Sequence, residues 1–394
     1  MTRSGAKTPF VAIACGGTGG HLFPGLAVAE QLTQRGCTVT LLISPKEVDQ
    51  QAVKSVRGMS IVTLPAVALQ NRNYFSFARS FVKSLFAAKK TFRQRRPDAV
   101  LTMGGFTGAP PVWVGKDFGA KTFLHESNTI PGRANRLLAR FVDEAFIGFS
   151  ETASRLRVPR GAITHTGTPV RPQFQPREPG ACRTAFGLDP HRPTILVMGG
   201  SQGASGINKL ILAALPLLAD RVSTWQWLHL TGANDFERVK AAYAARGIEA
   251  VVRPFLAEMD LVLGAATVAV SRAGASSLAE IAAISLPSLL VPFPAAADNH
   301  QYHNARAFEA TGAARLLEQE NATPDAVAAV LRELAENETS RVSLQAALAS
   351  WHAPRAAELI ASHILKTIGE RFAFGAQGGE KVDVRGGMNL KVVA

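Results

Sequence analysis

A chain of 394 residues that is 47% hydrophobic is long enough for two domains with separate cores, and no uncharged apolar run approaches the ~18 residues needed to span a bilayer. The first residues lack a signal-peptide core, which predicts a cytoplasmic protein, and Cys15, Cys37 and Cys182 have neither CxxC nor metal-ligand spacing, which predicts free thiols and no structural zinc. The formal net charge of +13 calls for an acidic partner: nucleic acid, an anionic membrane or a phosphorylated substrate.

Phe10 to Cys15 is a short uncharged apolar run, as expected for a parallel strand covered on both faces. Gly16, Gly17, Gly19 and Gly20 follow, a turn in which only Thr18 carries a Cβ and whose backbone can approach a ligand. Leu22, Leu26, Ala29 and Leu32 then give a helical stripe. A helix start aimed at a crevice suits an anionic or hydroxyl-rich ligand. The turn is not a dinucleotide fingerprint, because Leu22 stands where that pattern needs glycine or alanine, and no glycine loop leads into the Gly-Lys-Ser/Thr of a P-loop. His21 follows the glycines directly. It either faces the crevice or simply packs and caps the helix.

Thr38 to Ile43 and Ile61 to Leu64 read as strands. From Arg72 to Arg96 there are eight basic residues and no acidic one. Tyr74, Phe77, Phe81, Leu85, Ala88 and Phe92 recur at helical steps beside that charge, with Phe75, Val82 and Phe86 as a second row. A basic amphipathic helix with exposed aromatics reads as a membrane-surface element; the alternative is ordinary core with solvated cations, and both hold if one row faces the core and the other lipid. No nucleic-acid motif accompanies the charge, so no nucleic-acid partner is expected.

Residues 98 to 103 form a strand ending in a second glycine turn, Gly104-Gly105-Phe106-Thr107-Gly108. Residues 122 to 125 form another, with Glu126, Ser127 and Asn128 at its end, before a helix carrying Arg133, Arg136 and Arg140. Open α/β sheets bind ligands at strand carboxyl ends, so Glu126 and Asn128 are expected at the same crevice as His21. From His165 to Pro193 there are six prolines and little periodicity, which reads as an inter-domain linker with a short helix at 181 to 186.

Thr194 to Met198 is a strand ending in Gly199-Gly200-Ser201-Gln202-Gly203, which repeats the first turn's pattern. A second open α/β domain facing the first follows, with the ligand cleft between them. Further strands are expected at 225 to 230, 251 to 252 and 289 to 293, helices at 235 to 246 and 324 to 338, and a short helix followed by a strand within 261 to 271. The Arg272-to-Ser277 turn opens a helix and suits a diphosphate. Glu280, one turn on, either accepts from ribose hydroxyls or is a favourable charge near a helix start. Asp298, Asn299, His300, Gln301 and Asn304 suit a neutral sugar. A last helix, 351 to 368, is expected to cross back to the first domain, with 369 to 394 a disordered tail. The domains are therefore placed at 1–166 and 167–350.

Seven collinear motifs carry a resemblance: GGTGGHLFPGLA (16 to 27), GGFTGAP (104 to 110), LHESNTIPG (124 to 132), GTPVR (167 to 171), GGSQGA (199 to 204), SRAGASSLAEIAA (271 to 283) and DNHQYHNA (298 to 305). Over residues 10 to 368 the chain resembles the MurG family of peripheral membrane glycosyltransferases. The resemblance implies a GT-B fold of two facing Rossmann-like, doubly wound parallel-sheet domains. It implies inverting transfer of N-acetylglucosamine from UDP-GlcNAc to the C4 hydroxyl of undecaprenyl-diphosphate-linked muramoyl-pentapeptide in peptidoglycan synthesis, at the cytoplasmic face of the inner membrane and beside other wall-synthesis proteins.

By the same resemblance, Thr18, Gly19 and Gly20 close the donor cleft, with Ser201, Ala275, Ser276, Ser277 and Arg171 at the diphosphate. Glu280 falls on the ribose, the backbone near Leu256 by the uracil, and Asn128 with His300 or Gln301 on the sugar. Gly104, Gly105, Phe106 and Thr107 fall on the acceptor, and His21 or Glu126 is the candidate base. Phe106 stands where relatives have Tyr, Thr168 where the GNPVR motif has Asn, and His300 where some have Gln. No cofactor is expected, and no DxD-like pair is present to hold a metal. Two other functions share such a frame: a UDP-GlcNAc 2-epimerase, and a non-catalytic UDP-sugar-binding membrane scaffold.

Overall fold

A computed structural model describes residues 8–54, 56–66, 74–159, 161–200, 203–221 and 223–377. The first lobe runs β1 (Phe10–Ala14), α1 (Gly19–Gln34), β2 (Thr38–Ile43), α2 (Glu47–Ala52), β3 (Ser60–Thr63), α3 (Tyr74–Gln94), β4 (Ala99–Thr102), α4 (Ala109–Asp117), β5 (Lys121–Glu126), α5 (Arg133–Leu138), β6 (Glu144–Ile147) and β7 (Ile163–His165). Its strands make one seven-stranded parallel sheet in the order β3-β2-β1-β4-β5-β6-β7.

The second lobe runs α6 (Pro179–Thr184), β8 (Thr194–Met198), α7 (Ser205–Ala214), β9 (Gln226–Leu230), α8 (Phe236–Ala244), β10 (Ala250–Arg253), α9 (Met259–Ala265), β11 (Val268–Ser271), α10 (Ala275–Ile284), β12 (Ser288–Leu290), α11 (His300–Ala310), β13 (Arg315–Leu316), α12 (Pro324–Glu336), α13 (Glu338–Ala349) and α14 (Ala356–Gln377). Its six strands, also parallel, are ordered β10-β9-β8-β11-β12-β13. The two sheets thus share one winding pattern, in which the strand order reverses between β1 and β4 and again between β8 and β11. Ligands of doubly wound sheets sit at such reversals. The glycine turns after β1, β4 and β8 and the Arg272-to-Ser277 turn after β11 all lie there.

The period-two alternation of a strand sorts the core into layers. Val11, Ile13 and Cys15 face α1 and α14, while Ala12 and Ala14 face α3, α4 and α5. In the second lobe Ile195 and Val197 face α7, α8 and α12, and Leu196 and Met198 face α9, α10 and α11. Helix α14 packs Ile360, Ala361, Ile364 and Ile368 onto the first lobe's core, as expected of a returning helix. Trp351 does not belong to it. It precedes the helix and stacks on Phe308, 4.3 Å between ring centroids, with Phe149 at 5.4 Å.

Several expectations are corrected. Strands β6 and β7 lie in what reads as featureless or linker sequence, and β13, α2 and α13 also went unread. Strands β6 and β7 are only four and three residues long, too short to display a period. The last helix extends through Gln377 rather than stopping at 368, so residues 369 to 377 are helical and not a disordered tail; 378–394 lie outside the described residues.

The stripe expected on α3 is rotated. Ser80, Ser84, Ala88 and Phe92 are its buried positions, and Ser80 donates through its hydroxyl to the Pro65 carbonyl. Tyr74, in the first row, is 64% exposed, and the second row lies outside, with Phe75 at 82%, Val82 at 47% and Phe86 at 68%. Small serines and an alanine let α3 approach α4 closely, which pushes the larger rings to its flanks and outer face.

Candidate active site

The two lobes enclose one cleft of about 1520 Å³. That exceeds the ~300–1,000 Å³ of a typical single-ligand pocket, so it has room for two substrates. The first-lobe wall is built on the glycine turn after β1. Gly17 has φ of +117°, and a Cβ there would stand 2.9 Å from the Phe106 ring. Neither feature suits any other residue.

This turn is held on every side. The Gly17 amide donates to Asp49 Oδ2 at 2.7 Å, Lys46 Nζ donates to the Gly17 carbonyl at 2.8 Å, and Thr107 Oγ1 donates to the Gly16 carbonyl at 2.7 Å. Asp49 is fully buried, and the same Oδ2 also accepts from the Ser44 amide and hydroxyl. Nothing about Asp49 stood out in the sequence, because α2 itself was unread.

Thr18, Gly19, Gly20 and His21 line the cleft. His21 Nδ1 is 3.1 Å from Thr18 Oγ1, which leaves Nε2 as the ring nitrogen without a partner among the described contacts. Desolvation in the cleft lowers the imidazole pKa, opposed by the nearby Glu126 and Asp49 charges and reinforced by Lys46 and His300. At neutral pH the ring is therefore neutral, the form that accepts a proton. Gly105 and Phe106 also face the cleft, whereas Gly104 and Thr107 do not. Gly104 packs on Asn135 and Thr107 props the first turn, so those two serve as support.

Glu126 reaches the cleft but is 2% exposed. Its Oε1 accepts from the Asn128 amide at 2.9 Å and from Asn128 Nδ2 at 3.0 Å. Its Oε2 accepts from the Gly132 amide at 2.9 Å and from Asn135 Nδ2 at 2.7 Å. Four donors fill the carboxylate's usual lone-pair sites, so Glu126 is fully engaged within the first lobe whereas His21 keeps Nε2 open to the cleft. Asn128 is engaged at both ends of its amide, by Glu126 and by Asn304. One N–H and one lone pair remain for a ligand.

On the second-lobe wall, Gly274 leads into α10 with extended backbone, and Ala275, Ser276 and Ser277 line the cleft at the helix start. Ser276 Oγ donates to the Gly20 carbonyl at 2.9 Å, so the two glycine-rich turns meet across the lobes. Glu280 lies one turn deeper, and Arg171 reaches it at 3.8 Å. Burial raises the Glu280 carboxyl pKa to about 7, only partly offset by Arg171.

Arg171 lies over the Phe23 ring, 4.1 Å from its centroid, and its Nε is buried without a hydrogen-bond partner among the described residues. A buried donor left unmade costs about 1–3 kcal/mol, so this one fits a ligand acceptor. Arg272 turns away from the cleft, donating to the Val291 and Pro292 carbonyls and to Gln319.

Ser201 lies outside the described residues. Leu256 does not line the cleft; its side chain packs into the second-lobe core. Its neighbours Pro254 and Phe255 line the cleft instead, with Phe255 53% exposed. No sequence signal separated Phe255 from Leu256, because an irregular loop has no period to say which side chain turns inward. His300 and Gln301 both face the cleft. His300 Nδ1–H donates to the Ala297 carbonyl at 2.8 Å, and Gln301 Oε1 accepts from the Phe293 amide at 3.0 Å, which leaves the Gln301 NH2 and His300 Nε2 for a ligand. Asp298 bridges the lobes, accepting from Arg133 at 3.0 Å and Arg136 at 2.6 Å. Among the described residues no cluster of three or more His, Cys, Asp or Glu has metal-site geometry.

Comparison with known proteins assigns the same two halves. Residues 11–147 match the family described as Glycosyltransferase family 28 N-terminal domain, and residues 194–360 match Glycosyltransferase family 28 C-terminal domain. The chain is 34% identical over 369 residues to a protein of Anaeromyxobacter sp. strain Fw109-5, covering 91% of this chain and 94% of that one. It is 38% identical over 327 residues to one of Acidithiobacillus ferrooxidans, covering 82% and 88%. Both relatives are named "UDP-N-acetylglucosamine--N-acetylmuramyl-(pentapeptide) pyrophosphoryl-undecaprenol N-acetylglucosamine transferase". The crystal structure of Acinetobacter baumannii MurG superposes with a TM-score of 0.68 at 25% identity, covering 91% of this chain and 99% of that one. A UDP-GlcNAc 2-epimerase from Neisseria meningitidis, bound to UDP-GlcNAc, has a TM-score of 0.67 at 13% identity, covering 91% and 100%. At that identity the likeness extends to the fold alone.

Proposed function

The chain belongs to glycosyltransferase family 28 and within it to the MurG family, and from that premise we propose that it transfers N-acetylglucosamine from UDP-GlcNAc to the lipid-linked N-acetylmuramyl-pentapeptide. The reading is carried by one observation: a histidine-bearing glycine turn and a hydroxyl-lined helix start face each other across a cleft and touch at Ser276 and Gly20. Such a pair can set an acceptor hydroxyl against a sugar diphosphate.

In this reading the diphosphate of UDP lies at the α10 N-terminus, where free amides and the positive end of the helix dipole favour negative charge, with Arg171 Nε as a further donor. Glu280 accepts from the ribose hydroxyls, and Phe255 with the backbone beside it borders the base. Asn128, His300 and Gln301 read the sugar hydroxyls. His21 Nε2 takes the proton from the C4 hydroxyl of the acceptor sugar as that oxygen attacks the anomeric carbon. The bond to the UDP oxygen breaks on the opposite face, so a single displacement inverts the anomeric centre. Charge developing on UDP is met by donors already in place, the term that commonly dominates such catalysis. The base contributes about 10²–10⁴ in rate.

Among the described residues no helix is long and apolar enough to cross a membrane. The outer face of α3 supplies a surface contact instead: Phe75, Val82 and Phe86 are exposed beside Lys83, Lys89 and Lys90. This supports peripheral attachment to an anionic bilayer on the side where UDP-GlcNAc is available, the cytoplasmic one. Release of UDP, assayed with a soluble analogue of the lipid acceptor, tests the assignment. It is expected only when donor and acceptor are both present; epimerised UDP-sugar formed without acceptor would overturn it.

A further inference from the structure

Resting on that reading, we propose that Asn304 is a positioning residue for sugar transfer: a single buried amide that fixes the first-lobe loop carrying Asn128 against the second-lobe turn that receives the donor diphosphate. Asn304 stands at the start of the second turn of α11 and is 0% exposed. Its Oδ1 accepts from the Thr129 amide and from Thr129 Oγ1, both at 3.0 Å. Its Nδ2 donates to Asn128 Oδ1 at 3.0 Å and to the Ala273 carbonyl at 3.1 Å. These four bonds exhaust a carboxamide, which has two N–H donors and two lone pairs.

The partners come from both sides of the cleft. Thr129 and Asn128 belong to the loop between β5 and α5. Ala273 immediately precedes Gly274, from which α10 starts. The chain of bonds continues inward, because Asn128 Nδ2 donates to Glu126, which also gathers Gly132 and Asn135. Asn304 therefore sets the orientation of the Asn128 amide. With its oxygen and nitrogen exchanged, Asn128 would set donor against donor at Asn304 and acceptor against acceptor at Glu126. Two other lobe-to-lobe contacts, Ser276 with Gly20 and Asp298 with Arg133 and Arg136, involve exposed groups. Exposed ion pairs are worth little, whereas a fully satisfied buried network holds one geometry. Asn304 itself is absent from the cleft lining, so its effect passes through Asn128 and the α10 turn.

Asn304→Ala and Thr129→Val, made in the full chain, provide the test. For each, kcat, donor KM, the UDP dissociation constant and Tm are measured. Asn304→Ala is expected to lower kcat about 10²-fold, the order seen when reacting groups are misplaced by about 1 Å, with UDP affinity kept within about twofold because the bonds of Asn304 go to Thr129, Asn128 and Ala273 and none to Ser276, Ser277, Glu280 or Arg171. Thr129→Val, which removes one of the four bonds and the side-chain hydroxyl only, is expected to lower kcat several-fold with UDP affinity unchanged. A residue that merely stabilises the fold would lower Tm and leave kcat per folded molecule intact. Wild-type kcat in Asn304→Ala overturns the proposal, as does a loss of UDP affinity matching the loss of kcat. Should Asn304→Ala fail to fold, wild-type kcat in Thr129→Val overturns it alone. Failure of the functional reading would show separately, as absence of acceptor-dependent UDP release in the wild-type protein.

Discussion

His21 and Glu126 are both acidic-proton acceptors within one cleft, and their surroundings separate them. Four donors surround Glu126, while His21 keeps one ring nitrogen unengaged in a site that lowers its pKa by desolvation. His21→Ala is expected to reduce kcat by about 10²–10⁴ with UDP affinity retained, measured by turnover and calorimetry. The acid limb of the wild-type rate profile should fall below the ordinary imidazole range and vanish in the variant.

Glu280 supplies a second pH signature. Its folded pKa of about 7 lies above the ordinary 4.5 because burial disfavours the carboxylate. A carboxyl whose folded pKa is raised contributes stability that is complete below the unfolded value and is lost as pH rises through the folded one. The wild-type protein without ligand should therefore lose up to about 3 kcal/mol between those two pH values relative to Glu280→Gln, read from urea unfolding at several pH values. Equal slopes for the two proteins would remove Glu280 from that account.

At the level of elements, α3 combines a narrow buried face with an outer face of aromatics and cations. Its composition announced a surface helix, but which rows would be buried depended on α4, against which Trp113 meets Phe81 edge-on at 5.4 Å. Replacing Lys89 and Lys90 by Glu and Phe75 and Phe86 by Ser should weaken binding to anionic vesicles by at least tenfold, since each cation near such a surface contributes about 1 kcal/mol. Turnover of a water-soluble acceptor analogue by the same variant should stay within about threefold of wild type. A parallel loss of soluble turnover would show that this face belongs to the acceptor site and not to membrane attachment.

Across the whole molecule, the last helix ties the two lobes together. It follows the second lobe in sequence yet buries Ile360, Ile364 and Ile368 in the first. Ile364 is 0% exposed, so Ile364→Ala is expected to cost about 2–5 kcal/mol of first-lobe stability. Hydrogen exchange should then rise in β1 and α1 while β8 and β11 stay protected. Uniform loss of protection would mean that the lobes unfold as one unit.

The alternation of apolar strands with glycine turns and helices was enough to read two doubly wound lobes and the turns that line the cleft, because strand burial and helix amphipathicity write themselves into residue order, whereas the packing of the last helix on the first lobe was decided by the tertiary structure. His21, Ser276 and Glu280 were legible as cleft-lining residues for the same reason, each standing just past a strand end, whereas Arg171, in a proline-rich stretch without a period, was named only by the family resemblance. Hydrogen-bond saturation at Glu126, the turning of Phe255 instead of Leu256 into the cleft, the clamp from Asp49 to Gly17 and the Asn304 crossing were decided only in three dimensions. Each depends on which groups from remote segments arrive within about 3 Å, and a one-dimensional pattern carries no record of that distance.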